Sequence, residues 1–206
     1  MKITVEPTPI PGVLVVTPDT FDDHRGFFTE VFRSDVWREA GAAPGRGAGP
    51  TRGRGPALPD AFVQLNLSRS VRGTVRGLHF QYDPPMGKLM RVARGRAFLV
   101  AVDLRKGSPT LGRHFATTLD DSKPQMVWAP ASFARGFCVL SDVADVEYFT
   151  TGIYSAASDT GIRWDDPALG IAWPEKQPLL SDKDGKAQTL AEWLARPESD
   201  RFRWEG

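Results

Sequence analysis

Ala97-Phe98-Leu99-Val100-Ala101-Val102-Asp103-Leu104 is apolar at both parities of an extended chain. Successive side chains of a strand point to opposite faces, so this stretch has no wet face and is predicted to be a strand sandwiched between two sheets. Gly95 before it and Gly107-Ser108-Pro109 after it supply the turns. The same signature continues outward, with predicted strands at 61–67, 76–80 and 88–92 upstream, punctuated by Gly73 and Pro84-Pro85-Met86-Gly87. Downstream the pattern gives strands at 114–119, 126–129, 136–140 and 143–150. Short strands at regular spacing, with no helices alternating between them, indicate an all-β antiparallel sandwich or barrel of the jelly-roll kind.

Further out, apolar pieces at 3–5 and 13–16 are separated by Pro7, Pro9, Pro11 and Gly12, and read as strands broken by turns. Residues 21–32 hold a Gly-containing turn followed by an aromatic, β-prone run. Ser34 offers an N-cap for a short helix through Ala40, closed by Gly41, and a second helix at 190–195 is expected to pack on the outside. Residues 41–60 are Gly, Ala, Pro and Arg with almost no bulky apolar side chain, which describes a loop insertion within one domain spanning 1–206.

Composition sets limits on function. The 206 residues are 41% apolar and 25% charged, enough for one globular core, and 20 glycines with 17 prolines favour short strands over long helices. A net charge of +1 leaves no basic field for nucleic acid, so any phosphate must be held by placed arginines. Cys138 is the sole cysteine and lies in an apolar run, which excludes an intrachain disulfide and a thiolate cluster. No apolar stretch approaches the length of a membrane span, and a soluble cytoplasmic protein is expected.

Three histidines are present: His24, His79 and His114. None forms a His-x-His pair, and their separation argues against a metal site and for chemistry without a cofactor. His79 lies in Val75-Arg76-Gly77-Leu78-His79-Phe80-Gln81. Strict alternation sends Arg76 and Leu78 to one side and Gly77, His79 and Gln81 to the other. Gln64 and Asn66 have the same spacing, and together these residues suggest a polar-lined interior.

Several runs carry a family resemblance. Gln64-Leu65-Asn66-Leu67-Ser68-Arg69-Ser70, Gly73-Thr74-Val75-Arg76-Gly77-Leu78-His79-Phe80-Gln81 and Gly87-Lys88-Leu89-Met90-Arg91-Val92 come first. Val102-Asp103-Leu104-Arg105-Lys106-Gly107-Ser108-Pro109, Ile162-Arg163-Trp164-Asp165-Asp166-Pro167 and Leu180-Ser181-Asp182-Lys183-Asp184 follow in order. The chain closely resembles the dTDP-4-dehydrorhamnose 3,5-epimerases of deoxysugar biosynthesis over nearly all its length, apart from 41–60 and the last few residues. The resemblance implies a metal-free, cupin-type jelly roll, normally a homodimer, acting on a dTDP-4-keto-6-deoxyhexose.

A ketone at C4 acidifies the hydrogens at C3 and C5, so inversion needs a base on one face, a stabiliser for the enolate oxygen and an acid on the opposite face. His79 is the natural base, because imidazole is the side chain best matched to that task. By resemblance a carboxylate of Asp182-Lys183-Asp184 orients it, with Asp184 favoured over Asp182, and Lys88 matches the lysine near the C4 oxygen. By the same resemblance Tyr148 matches the catalytic tyrosine that acts as the acid, and Tyr154 the substrate-packing one. Positional match assigns Arg25, Glu30, Gln64, Asn66 and Arg76 to the nucleotide, with Lys183, Asp159 and Arg163 near further contact positions. Arginine suits a diphosphate because its planar fork meets two oxygens at once.

One position departs from the family pattern. Ala134-Arg135-Gly136-Phe137 stands where the family carries Ala-His-Gly-Phe, a histidine counted among the substrate contacts. Arg135 cannot act as a neutral acceptor but can donate to a keto oxygen or a phosphate. Inversion at C3 alone is therefore an alternative to inversion at both carbons. A 3,4-ketoisomerase of the same substrate class and a non-catalytic sugar-nucleotide-binding cupin are the others.

Overall fold

The computed structural model describes residues 2–42, 58, 59 and 61–205. Most of the expected insertion at 41–60 lies outside the described residues. The chain forms β1 (Ile3–Pro7), β2 (Leu14–Pro18), the hairpin β3 (Phe21–Asp23) and β4 (Gly26–Phe28), and α1 (Ser34–Ala42). Next come β5 (Gln64–Val71), β6 (Val75–Gln81), β7 (Lys88–Arg94), β8 (Arg96–Asp103) and β9 (His114–Asp120). They are followed by β10 (Met126–Ala129), β11 (Phe133–Val139), β12 (Val143–Thr150) and β13 (Asp159–Gly161). Two short helices, α2 (Asp182–Gly185) and α3 (Leu190–Ala195), and a 3-10 turn at Pro197–Arg201 end the described chain. No helix among the described residues is long and apolar enough to cross a membrane.

Strands pair in two antiparallel sheets, a six-stranded one in the order β1-β2-β10-β7-β12-β5 and a five-stranded one in the order β13-β6-β11-β8-β9. Their packing makes a cupin-type jelly roll with short peripheral helices. Met90 and Val92 of β7, Leu99 of β8, Phe133 and Phe137 of β11 and Val146 of β12 fill the space between the sheets.

β8 is buried on both faces, but not between two sheets. Ala97, Leu99 and Ala101 face the other sheet. Val100 and Val102, with Leu104 just beyond the strand, face a cover of Trp173, Leu190, Trp193 and Phe202 from the C-terminal segment. α3 is anchored in that cover by its capping box, in which Thr189 and Glu192 satisfy each other's backbone N–H groups. α1 continues through Gly41 to Ala42, past the expected stop, and Trp37 from it covers the outer face of the six-stranded sheet. β11 starts at Phe133 rather than Gly136, which brings Arg135 into the sheet.

The alternation expected for 75–81 fails at Gly77. Arg135 of β11 lies opposite His79 and Phe137 opposite Arg76, so three steps along β6 match two along β11. The extra residue is a β-bulge, which reverses the facing of everything before it. Val75, Leu78 and Phe80 therefore share the outer core, and Arg76 and His79 both line a cavity between the sheets. Glycine is required here: Gly77 has φ +127°, and a Cβ on it would lie 2.6 Å from Gly136 Cα.

Candidate active site

The cavity, about 130 Å³, opens between the two sheets. The five-stranded sheet contributes Arg76 and His79 from β6 with Arg135, Gly136 and Phe137 from β11. The six-stranded sheet contributes Ser68 from β5, Lys88 and Met90 from β7, and Tyr148 from β12. His79 and Tyr148 thus enter one space from opposing walls. Lys88 stands on Tyr148's side, its Nζ 5.2 Å from the centre of the phenol ring.

α2 is built to hold one carboxylate under His79. Ser181 caps it by accepting from the Asp184 N–H, and this turns Asp184 inward and leaves Asp182 exposed. Asp184 Oδ1 is 2.5 Å from His79 Nε2, and its Oδ2 accepts from the Gly77 N–H at 3.5 Å. Burial works against the charge of Asp184, but the hydrogen bond and charge of His79, with help from Gly77 and Ser181, hold its carboxyl below the usual range. With Nε2–H given to this carboxylate, the imidazole lone pair is left on Nδ1.

The opposite wall is shaped by desolvation. Burial, reinforced by the neighbouring charges of Arg135 and Lys183 and opposed by Asp159, pushes Lys88 down to about 8. Burial also raises the Tyr148 phenol, against the charge of Arg76. Arg135, only 3% exposed, is pushed down to about 9 by burial and stays charged at neutral pH.

β5 is polar inward and apolar outward: Gln64, Asn66 and Ser68 are half-buried, and Leu65 and Leu67 are exposed. Gln64 Nε2 donates to Asn66 Oδ1 at 2.8 Å, and Gln64 Oε1 accepts from the Tyr154 N–H at 3.1 Å. Arg76 Nε donates to Ser70 Oγ at 2.8 Å, tying β6 to β5. Ser68, Met90 and Phe137 join the cavity without a distinguishing chemical signal in the sequence, although Ser68 continues the inward alternation of Gln64 and Asn66.

Other predicted residues stand elsewhere. Gln81 is 2% exposed and serves as scaffold, with its amide donating to the carbonyls of Pro84 and Ile153 and accepting from the Ser155 N–H. Tyr154 is exposed and its hydroxyl donates to Asp159, which also pairs with Lys183. Lys183 and Asp184 line a second cavity of about 290 Å³ that shares His79 with the first. Arg163 pairs with Asp165 at the surface. Arg25 and Glu30 do not reach the cavity: Arg25, on the β3–β4 turn, pairs with Asp23, and Glu30 with Arg33.

Comparison with known proteins gives a consistent result. Residues 7–192 match the family model described as dTDP-4-dehydrorhamnose 3,5-epimerase. The dTDP-4-dehydrorhamnose 3,5-epimerase of Shigella flexneri is 43% identical over 186 residues, covering 90% of this chain and 94% of that one. A dTDP-4-dehydrorhamnose 3-epimerase of Streptomyces niveus is 40% identical over 189 residues, covering 91% of this chain and 84% of that one. The crystal structure of dTDP-6-deoxy-D-glucose-3,5-epimerase from Legionella pneumophila, in complex with dTDP-4-keto-L-rhamnose, superposes with a TM-score of 0.85 at 36% identity. That match covers 99% of this chain and 100% of the other. With this agreement of sequence, fold and family match, the chain belongs to the dTDP-4-dehydrorhamnose 3,5-epimerase family.

Proposed function

We propose that the protein epimerises a dTDP-4-keto-6-deoxyhexose at the carbons next to its C4 ketone, C3 and C5. The observation that carries this reading is the entry of His79 and Tyr148 into one cavity from opposing sheets. Inversion needs that two-sided arrangement, because the proton must leave from one face and return to the other. His79 Nδ1 takes the proton, Asp184 steadies the resulting imidazolium, the Lys88 ammonium stabilises the enolate oxygen, and Tyr148 delivers a proton from the opposite wall. Arg76, Gln64 and Asn66, with Lys183 and Tyr154 at the rim, form the proposed nucleotide-sugar contacts, and Arg135 faces the sugar.

A second reading, inversion at C3 alone, is favoured by the bulky cation Arg135 within the cavity and by the similarity to a 3-epimerase. Incubation with dTDP-4-keto-6-deoxyglucose in deuterated water, with the label located by NMR, separates the two. Label at C3 and C5 with both centres inverted is expected. Label at C3 alone selects the second reading, and label at neither carbon overturns both.

One domain carries this chemistry, since both sheets wall the same cavity. A homodimer is proposed from the apolar surface left open: Val63 just before the edge strand β5, Leu65, Leu67 and Val71 along it, and Phe21, Phe27 and Phe28 on the β3–β4 hairpin, are all exposed. Arg25 and Glu30 border that hairpin surface, so their proposed role in binding depends on the dimer. The substrate is a water-soluble nucleotide sugar, and the cytoplasm is the proposed compartment.

A further inference from the structure

Arg76, Lys88 and Arg135 line one cavity, and no carboxylate lines it among the described residues. Arg135 donates from a single nitrogen, Nη2, to the carbonyl oxygens of Met86, Ala129 and Pro130. Its Nε and Nη1 are buried without a hydrogen-bond partner. Among the described residues no carboxylate forms an ion pair with Arg135 or with Lys88. A buried charge without a counter-charge is strongly unfavourable, and donors without acceptors add to the cost. The carbonyls that hold the guanidinium belong to the backbone around Lys88: Ala129 is the strand partner of Lys88, and Met86 lies two residues before it. Arg135 is thereby fixed on the wall of the cavity that the Lys88 side chain also lines.

We propose that Arg135 is a positioning residue that makes Lys88 an acid, so that Lys88 hands its proton to the substrate's C4 oxygen and the intermediate is an enol. This rests on the epimerase reading above and specifies how its oxygen-stabilising residue works. His79 takes the proton from the carbon beside the ketone, and the C–H electron pair becomes a C=C bond. The carbonyl π pair moves to the oxygen, which takes a proton from Lys88 Nζ. Lys88 is left neutral next to the Arg135 charge, and the like-charge repulsion is relieved. On return the enol proton goes back to Lys88 Nζ as Tyr148 protonates the carbon; the His79 imidazolium then gives up its proton to solvent and the Tyr148 phenolate takes one from it, so no proton is gained or lost over the cycle.

The electrostatic surroundings agree with this arrangement. After burial, Arg135 is the largest influence that lowers Lys88. The other charged or titratable groups around it are Arg76 and His79 on β6, with Asp184 behind His79, Tyr148 on β12, Asp159 on β13 and Lys183 on α2. Of these only Asp159 acts on Lys88 in the opposite direction, and it does so without contact.

The test compares the parent with Arg135→Met and Arg135→Lys, using kcat against pH and a heteronuclear NMR titration of the Lys88 side chain in the whole protein. In Arg135→Met the Lys88 titration and the basic limb of kcat should both move up by about one pH unit. At pH 7 kcat should fall roughly tenfold, with KM changing far less. Arg135→Lys should retain the parent limb. Arg135→His, neutral at the pH of that limb, replaces the Met variant should the latter fail to fold. A Lys88 titration that is the same with and without the charge at 135 overturns the proposal. The NMR arm needs no turnover, so a parent that inverts nothing refutes the epimerase reading while the coupling of Arg135 to Lys88 is still decided.

Discussion

His79→Asn should lower kcat by roughly 10³-fold and leave the fold intact. The loss is large because no other group in the cavity can act as base on that wall: its neighbours there are Arg76, Arg135, Gly136 and Phe137. The fold should hold because Asp184 keeps its bonds from the Gly77 N–H and at the Ser181-capped turn, so its carboxylate is not left bare. Steady-state kinetics together with thermal melting separate the two effects. An Asn variant within tenfold of the parent would remove His79 from the mechanism.

Gly77→Ala should be the most damaging single methyl in the site, destabilising the protein by about 4 kcal/mol from combined backbone strain and overpacking. The added Cβ would meet Gly136 Cα at 2.6 Å and Arg135 O at 2.8 Å, and both are backbone atoms that no rotamer change can move. The positive φ adds strain that only glycine avoids. Relief requires β6 to separate from β11, and Arg76, His79 and Arg135 would move with them. Denaturant unfolding should show the lost stability, and activity should fall with it. A Gly77→Ala protein as stable as the parent would contradict the bulge geometry described here.

That bulge marks where sequence reasoning stops. The strands at 126–129 and 143–150 and the helix at 190–195 are legible to the residue, because apolar runs of the right period are bounded by turn formers. β13 is not, since Asp159-Thr160-Gly161 is three polar or small residues whose only strand partner is β6. Double-sided burial of β8 is legible, but what covers its second face comes from residues some seventy to a hundred positions later. Alternation alone separates Arg76 from His79, and only the close approach of Gly77 to Gly136 returns them to one wall. The inward line of Gln64 and Asn66 follows from simple spacing. The seating of Arg135 on carbonyls around Lys88 does not, because it depends on the pairing of β10 with β7.

In the proposed reaction the proton leaves toward one wall and returns from the other. Tyr148→Phe in deuterated water tests this most directly, by following label at C3 and the configuration there in the same NMR experiment. His79 is partly exposed and borders both cavities, so it can exchange its proton with solvent. The Phe variant should take up deuterium at C3 with configuration retained, because His79 returns a solvent deuteron to the face it came from. Inversion at the parent's rate in that variant would contradict that reaction.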